Sequence, residues 1–408
     1  MKGHFYKPHC KCPKDKKCKC GATWSYIIDI GTDPATGRRK QKKKGGFKTK
    51  GAAQEAAALV IAELSEGTFV DEQKVTFEDF AKEWLQGYMS TGRVKISTKR
   101  IRKQQINLLN LYLAKLKMHN ISKKNYQDAL NDLKKEDYAD NTINGTHSTG
   151  RMIFKRAIDL GVIKNDPTAT AIVPKTIATV EDLEKKKELP KYMEKEELAK
   201  FLKTAEVRGL ERDYPMFLLL AYTGMRSGEL CALKWQDVDF EGHTISITKT
   251  HYSERNVMQE YVLLTPKTRS SRRVIDVEEF VLGELKLLKV KQDELKAKRL
   301  KSGLPYHDKD FVFAQFKNRY PGYPTYQKFV EQRMTRLLKI AGLNEKLTPH
   351  SLRHTHTSLL AEAGASLEQI MQRLGHSDDE TTRRIYLHIT KPQKKEASHK
   401  FAELMRSF

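Results

Sequence analysis

The sequence predicts a mostly helical chain with small β-sheets, an α+β protein of two or three domains. Three observations carry that expectation. Between positions 76 and 167, apolar residues recur at helical spacing. Around positions 23–30, and again over 244–277, they alternate along β-branched and aromatic stretches, as half-buried strands do. The length of 408 residues exceeds what one hydrophobic core usually serves.

Residues 1–70 read as a small basic module. Cys10-Lys11-Cys12 and Cys18-Lys19-Cys20 are two Cys-x-Cys pairs, four thiols that suit a closed, structural zinc site. His4 and His9 are alternative ligands, and a basic arm whose cysteines hold nothing is the competing reading. Residues 23–30 make a strand and Asp33-Pro34-Ala35-Thr36-Gly37 a turn. Residues 38–44, almost unbroken positive charge, make a second strand, and Gly45-Gly46-Phe47 a third. A helix over 49–64 turns Ala53, Ala56, Ala57, Val60, Ile61 and Leu64 to one side.

Four helices are expected over 75–168. Phe77, Phe80, Ala81, Trp84, Leu85 and Tyr88 mark the first. Ser97-Thr98 cap a second, which carries Ile101, Ile106, Leu109 and Leu113. Tyr126, Ala129, Leu130 and Leu133 stripe a third. Asn141-Thr142 open a fourth, which Gly161 closes before Pro167 forbids continuation. Lys99, Arg100, Arg102, Lys103, Arg151, Lys155 and Arg156 are expected on the outside. Residues 169–190 offer little to bury and read as a linker.

The last domain spans 191–408. An apolar helix over 214–222 ends at Thr223-Gly224. Strands follow at 244–250, 261–265 and 273–277, the last two read as a hairpin joined by a basic loop over 266–272. Helices over 280–300, 327–341 and 366–374, with a short strand at 310–313, complete the core. In the tail, Ala397, Phe401, Leu404, Met405 and Phe408 share a helical face that wants a partner surface.

Lys plus Arg number 75 against 51 Asp plus Glu, a net charge of +24. Such an excess points to a polyanion, nucleic acid before an acidic membrane surface. No apolar run is long enough to span a bilayer, and the N-terminus lacks the apolar core of a signal peptide. An intracellular, reducing location is expected, which argues against a disulfide scaffold.

The chemistry concentrates in Thr348-Pro349-His350-Ser351-Leu352-Arg353, then Leu374-Gly375-His376, then Tyr386. A phosphodiester is broken by a nucleophile, cationic support for the non-bridging oxygens, and an acid for the leaving oxygen. Tyr386 can supply the first. Arg353 offers a planar fork of donors that matches a phosphate. His350 and His376 can donate or shuttle protons. Thr348 and Pro349 suit a helix start, which places His350 and Arg353 on one face near its N-terminus.

Together with Thr223-Gly224-Met225-Arg226-Ser227-Gly228-Glu229 and Lys267 in Thr265-Pro266-Lys267-Thr268, these residues resemble the signature of the tyrosine recombinases, the phage integrase family. The Gly-Phe-x-Thr-Lys style of the first module is similar to integrases of Gram-positive phages and integrative elements. The resemblance implies an arm-type DNA-binding domain (1–70), a helical core-binding domain (75–168), a linker (169–190) and a catalytic domain (191–408). It implies Arg226, Lys267, His350, Arg353, His376 and Tyr386 as the catalytic set, with Tyr386 the nucleophile, Lys267 the general acid and Glu229 a buttress. Lys249 is a weaker rival to Lys267.

The same resemblance implies DNA contact from Arg38, Arg39, Lys40, Lys42, Lys43, Lys99, Arg100 and Arg269. It implies core and arm attachment sites, a homotetramer on DNA, and a host bending or excision factor, in the cytoplasm of a bacterial host and associated with its nucleoid. No cofactor or metal is expected for catalysis. A type IB topoisomerase-like relaxing enzyme and a non-catalytic DNA-binding regulator are the alternatives. A relaxation assay with and without paired sites separates the first, and covalent trapping the second.

Overall fold

The computed structural model describes residues 3–8, 10, 12, 20–32, 37–65, 75–92, 94–176, 192–266, 269–316, 319–375, 380–389 and 406, except the side chains of 269, 388 and 389. Cys18, the turn at 33–36, Lys267, His376 and the tail's apolar face lie outside the described residues. The chain divides into two units, Met1–Ile177 and Ala178–Phe408. The architecture is mostly helical with small antiparallel sheets.

The first unit opens with a three-stranded antiparallel sheet, β1 (His4–Tyr6), β2 (Trp24–Thr32) and β3 (Arg39–Phe47), in the order β1-β2-β3. Its third strand is therefore His4–Tyr6. The stretch Gly45-Gly46-Phe47, expected as a separate strand, continues β3 instead. A register shift between Trp24 and Tyr26 absorbs the glycines, and Phe47 pairs with Trp24. Helix α1 (Lys50–Ser65) starts where the Thr49 hydroxyl accepts the Ala52 N–H at 3.1 Å. Ala57 packs on Tyr26 and Ile28, flanked by Phe5, Phe47, Val60, Ile61 and Leu64.

Four helices follow: α2 (Phe77–Ser90), α3 (Ile96–Leu113), α4 (Lys123–Lys135) and α5 (Asp140–Asp159). The Thr76 hydroxyl caps α2, and Ser122 with Asn125 forms a reciprocal box on α4. Helix α5 ends at Gly161 (φ +65°), with Val162 N–H donating to Ala157 C=O at 2.8 Å. Phe77 stacks on Phe154, and Tyr126 meets Phe154 edge-on at 5.6 Å. Each large side chain buried here contributes about 1.5–3 kcal/mol. Arg102, expected outside, is half-buried and donates to Thr149 Oγ1 (2.7 Å) and Gln105 Oε1 (3.1 Å). It ties α3 to α5 because the threonine offers an acceptor where water cannot reach.

The second unit contains α6 (Lys195–Arg208), α7 (Asp213–Thr223), α8 (Ser227–Ala232), α9 (Glu279–Lys301), α10 (Gln327–Ala341), α11 (Pro349–Glu362), α12 (Leu367–Leu374) and α13 (Glu380–Ile389). Its core joins Phe201, Phe217, Leu220, Leu230, Val330, Leu337 and Leu352. Strands β4 (Val238–Asp239), β5 (Thr244–Ile247) and β8 (Arg273–Asp276) form one sheet, and β6 (Thr250–Tyr252) with β7 (Val262–Leu264) another.

Here the expected hairpin is corrected. Strands β7 and β8 do not pair with each other; β7 pairs with β6 and β8 with β5. Thr250 faces Leu264 and Ile247 faces Arg273, so a step of three residues on one side matches nine on the other. Position 267 falls in that wide detour. Alternation signals that a strand exists, but not which neighbour completes its ladder. The strand expected at 310–313 is reduced to isolated bridges, Lys234 with Phe311 and Ala314 with Pro324.

Candidate active site

The site is assembled at helix ends. Pro349 opens α11, where the Thr348 N–H donates to the Ser351 hydroxyl at 3.1 Å. His350, in the first turn, is exposed and meets His354 edge-on, ring centres 4.7 Å apart. Arg353, one turn on, points inward and is 2% exposed. One terminal nitrogen donates to Gly224 C=O and the other to Leu374 C=O, each at 2.7 Å. These carbonyls close α7 and α12, the negative ends of both helices, so the guanidinium meets acceptors that no intrahelical donor reaches.

Both turns require glycine. Gly224 (φ +61°) and Gly375 (φ +71°) are left-handed caps. A Cβ on Gly224 would lie 2.7 Å from His356 and from Leu374; one on Gly375 would lie 2.9 Å from Ser270 C=O. The Leu374-Gly375 turn is thus pressed against the chain just beyond position 267.

Arg226 stands at the start of α8 with its side chain 36% exposed. Its terminal nitrogen donates to Glu229 Oε1 and its backbone N–H to Glu229 Oε2, both at 2.9 Å. Arg273, on β8, donates to the same carboxylate at 3.0 Å, to Ser271 C=O at 3.2 Å and to Arg373 C=O at 2.8 Å. Burial alone would raise the Glu229 carboxyl. The Arg273 guanidinium, with hydrogen bonds from Arg273 and Arg226, holds it below the ordinary carboxylate range. Glu229 is therefore an anionic bracket between two guanidinium groups.

Behind this layer lies a group that sequence reasoning missed. His356 Nδ1 is 2.9 Å from Ala221 C=O, and Arg373 Nε is 3.1 Å from His356 Nε2. A carbonyl only accepts and a guanidinium only donates, so the ring carries its proton on Nδ1. Burial, reinforced by Arg373, pushes its pKa down to about 3. Arg373 also donates to Tyr222 C=O and Asp276 C=O at 3.0 Å each. These partners are far apart in sequence, and no local spacing announces them.

Tyr386, on α13, is half-buried against the cluster of Ala361, Ile370 and Leu374. Its ring therefore packs beside the turn that Arg353 holds. Lys249 has its ammonium 2.5 and 2.6 Å from the two Asp237 oxygens, a structural tie that occupies it. Buried His251, on β6 behind α8, stacks on Tyr261 at 5.7 Å, and burial lowers its pKa to about 4.

Of the residues expected at DNA, Arg38, Arg39, Lys40 and Lys43 are exposed, and so are Lys99 and Arg100 on α3. Arg39 pairs with Asp29. Lys42 is half-buried opposite Ile28. Among the described residues, no helix is long and apolar enough to cross a membrane.

Comparison with known proteins supplies three matches along the chain. Residues 191–393 match the phage integrase family, 14–64 an arm DNA-binding domain, and 76–134 the N-terminal SAM-like domain of phage integrases. The integrase of Staphylococcus phage L54a is 29% identical over 342 residues, 81% of this chain and 94% of that protein. A probable integrase of prophage ps2 in Lactococcus lactis is 30% identical over 370 residues, 89% and 92% of the two chains. Among solved structures, the Tn1549 transposon integrase in complex with transposon right end DNA aligns with a TM-score of 0.62 at 23% identity, covering 80% of this chain and all of that one.

Proposed function

Because the chain belongs to the phage integrase family, the tyrosine recombinases, we propose that it cuts and rejoins duplex DNA at specific sites to integrate and excise a phage genome or integrative element. The observation that carries the reading is the Arg353 clamp. Arg353 joins the turn that precedes Arg226, the helix that carries His350 and the Leu374 turn against which Tyr386 packs, which supports a shared site. A phosphate there meets a rigid cationic frame, which is what growing negative charge on phosphoryl oxygens requires.

In the proposed reaction the Tyr386 oxygen attacks the scissile phosphorus and gives its proton to His350. The bond from phosphorus to the 5′ oxygen breaks, and Lys267 protonates that oxygen. Arg226, Arg353, His350 and His376 stabilise the charge between these events. The 3′-phosphotyrosyl ester keeps the bond energy, so a 5′ hydroxyl from a partner duplex can reverse the step without ATP or a catalytic metal. Four protomers on two sites would exchange strands in two rounds.

The test is covalent trapping on a nicked suicide duplex carrying a candidate attachment site. The native chain forms the adduct; Tyr386→Phe binds the duplex and forms none. Adduct at native rate in that variant would move the nucleophile elsewhere.

A further inference from the structure

The arm module holds a cluster that the strand-exchange chemistry does not use. The Sγ atoms of Cys10, Cys12 and Cys20 all lie within 4.8 Å of one another. Those of Cys10 and Cys20 are 3.6 Å apart. A disulfide would need roughly 2.05 Å. Thiolates about 2.3 Å from a tetrahedral zinc stand roughly 3.8 Å from each other, close to the spacing observed. Cys10 and Cys12 are half-buried and Cys20 exposed, so the cluster is reachable from solvent. Its position in the fold gives it work. The described cysteines of this module lie in the connection between β1 and β2, and β1 is an edge strand that pairs with β2 through His4, Phe5 and Tyr6. Among the described residues of this module, Tyr26 and Ile28 are the large side chains fully buried, and half-buried Phe5 packs against them. Small modules of this kind gain stability from a staple.

We propose that Cys10, Cys12 and Cys20 bind one zinc ion as thiolates, which fastens β1 and its Phe5 to the arm sheet. Each thiol releases its proton to solvent as its sulfur–zinc bond forms, so occupancy falls as pH drops. The repeated Cys-x-Cys pattern nominates Cys18 as the fourth ligand. His4 is not in the cluster; its ring stacks on Tyr6 at 5.6 Å. The ion is structural and stands apart from the reaction, so its presence does not depend on the recombinase reading. Its consequence for arm-type DNA does rest on that reading.

Full-length chain purified under reducing conditions is assayed for zinc by elemental analysis, and for cobalt binding by its thiolate-to-metal absorption. About one equivalent per chain is expected, lost in Cys10→Ser, Cys12→Ser and Cys20→Ser and kept in Cys231→Ala. Loss in Cys18→Ser supports a four-thiolate site; retention there supports three thiolates and a different fourth ligand. Chelation of the native chain, followed by hydrogen exchange, serves as a second readout. Protection should fall over residues 3–32 and persist over 76–167, and added zinc should restore it. A native chain with no metal and reactive thiols, a Cys10–Cys20 disulfide under reducing conditions, or full zinc content after all three replacements overturns the proposal. Zinc bound normally while arm DNA is ignored would count against the arm reading and leave the metal site standing.

Discussion

The helical bundle of residues 76–167 and the catalytic unit hide different things from water. The bundle's interior is Phe77, Phe154, Leu109 and Leu130, and the polar side chains buried in it include Thr146, Thr149 and the Tyr126 hydroxyl, all uncharged. The catalytic unit buries Arg353, Glu229, Asp213, His356 and His251. Apolar burial is non-directional and tolerates rearrangement. A buried charge has to be met on several sides, and meeting it fixes geometry. The difference teaches where the molecule invests in precise placement: around the helix ends that would face a phosphate.

Substitutions can break or sharpen that contrast. The largest effect is expected from Glu229→Gln. It leaves Arg226 and Arg273 facing each other without their shared anion, and should cost about 3–5 kcal/mol. Hydrogen exchange should place the loss in the catalytic unit, and covalent-adduct formation should collapse with it. Phe154→Ala should cost a similar ~3–5 kcal/mol through the cavity it opens. That loss should fall on the bundle, with the rate of adduct formation from bound complex unchanged. If both variants impaired chemistry equally, the proposed division between packing and placement would fail.

Acid provides a milder probe. His356 and His251 have folded pKa values near 3 and 4, below the ordinary value of 6.5. The unfolded chain therefore takes up protons first as pH falls. Stability from these neutral rings is fully present above about pH 6.5 and is lost on the way down, on the order of 3 kcal/mol each by pH 4. Thermal unfolding of the catalytic unit should show this slope, and His251→Phe should remove that residue's share. The smallest effect is expected from Lys43→Ala on the exposed face of β3. Its unfolding free energy should move by less than about 0.5 kcal/mol. The slope of log binding constant against log salt for arm DNA should fall by about one.

Local signals were legible in the sequence. Pro349 opens a helix, while Gly161, Gly224 and Gly375 close others, because capping acts within four residues. The caps at Thr76 and Ser122 were missed, and Ser97-Thr98, expected to cap α3, lie inside its first turn, which starts after Lys95 with no side-chain cap. Arg226 was legible through the resemblance of its Thr-Gly-x-Arg turn to the family signature. Tertiary partners were not. Arg273 meets Glu229 across 44 positions and His356 meets Ala221 across 135, and no periodicity encodes such meetings. The three-residue β1 was too short to show alternation. Strands β7 and β8 were recognised as strands but assigned to each other, because the pattern along a strand is silent about its neighbour.

The nine-for-three detour between β7 and β8 has a consequence for how such an enzyme can change. Ladder pairing resumes on either side of it, so residues added or removed there leave both registers intact. Doubling the length of a loop costs only about 0.6 kcal/mol in closure entropy. The reach of whatever side chain rides on it can therefore drift between lineages while the sheets that anchor it stay as they are.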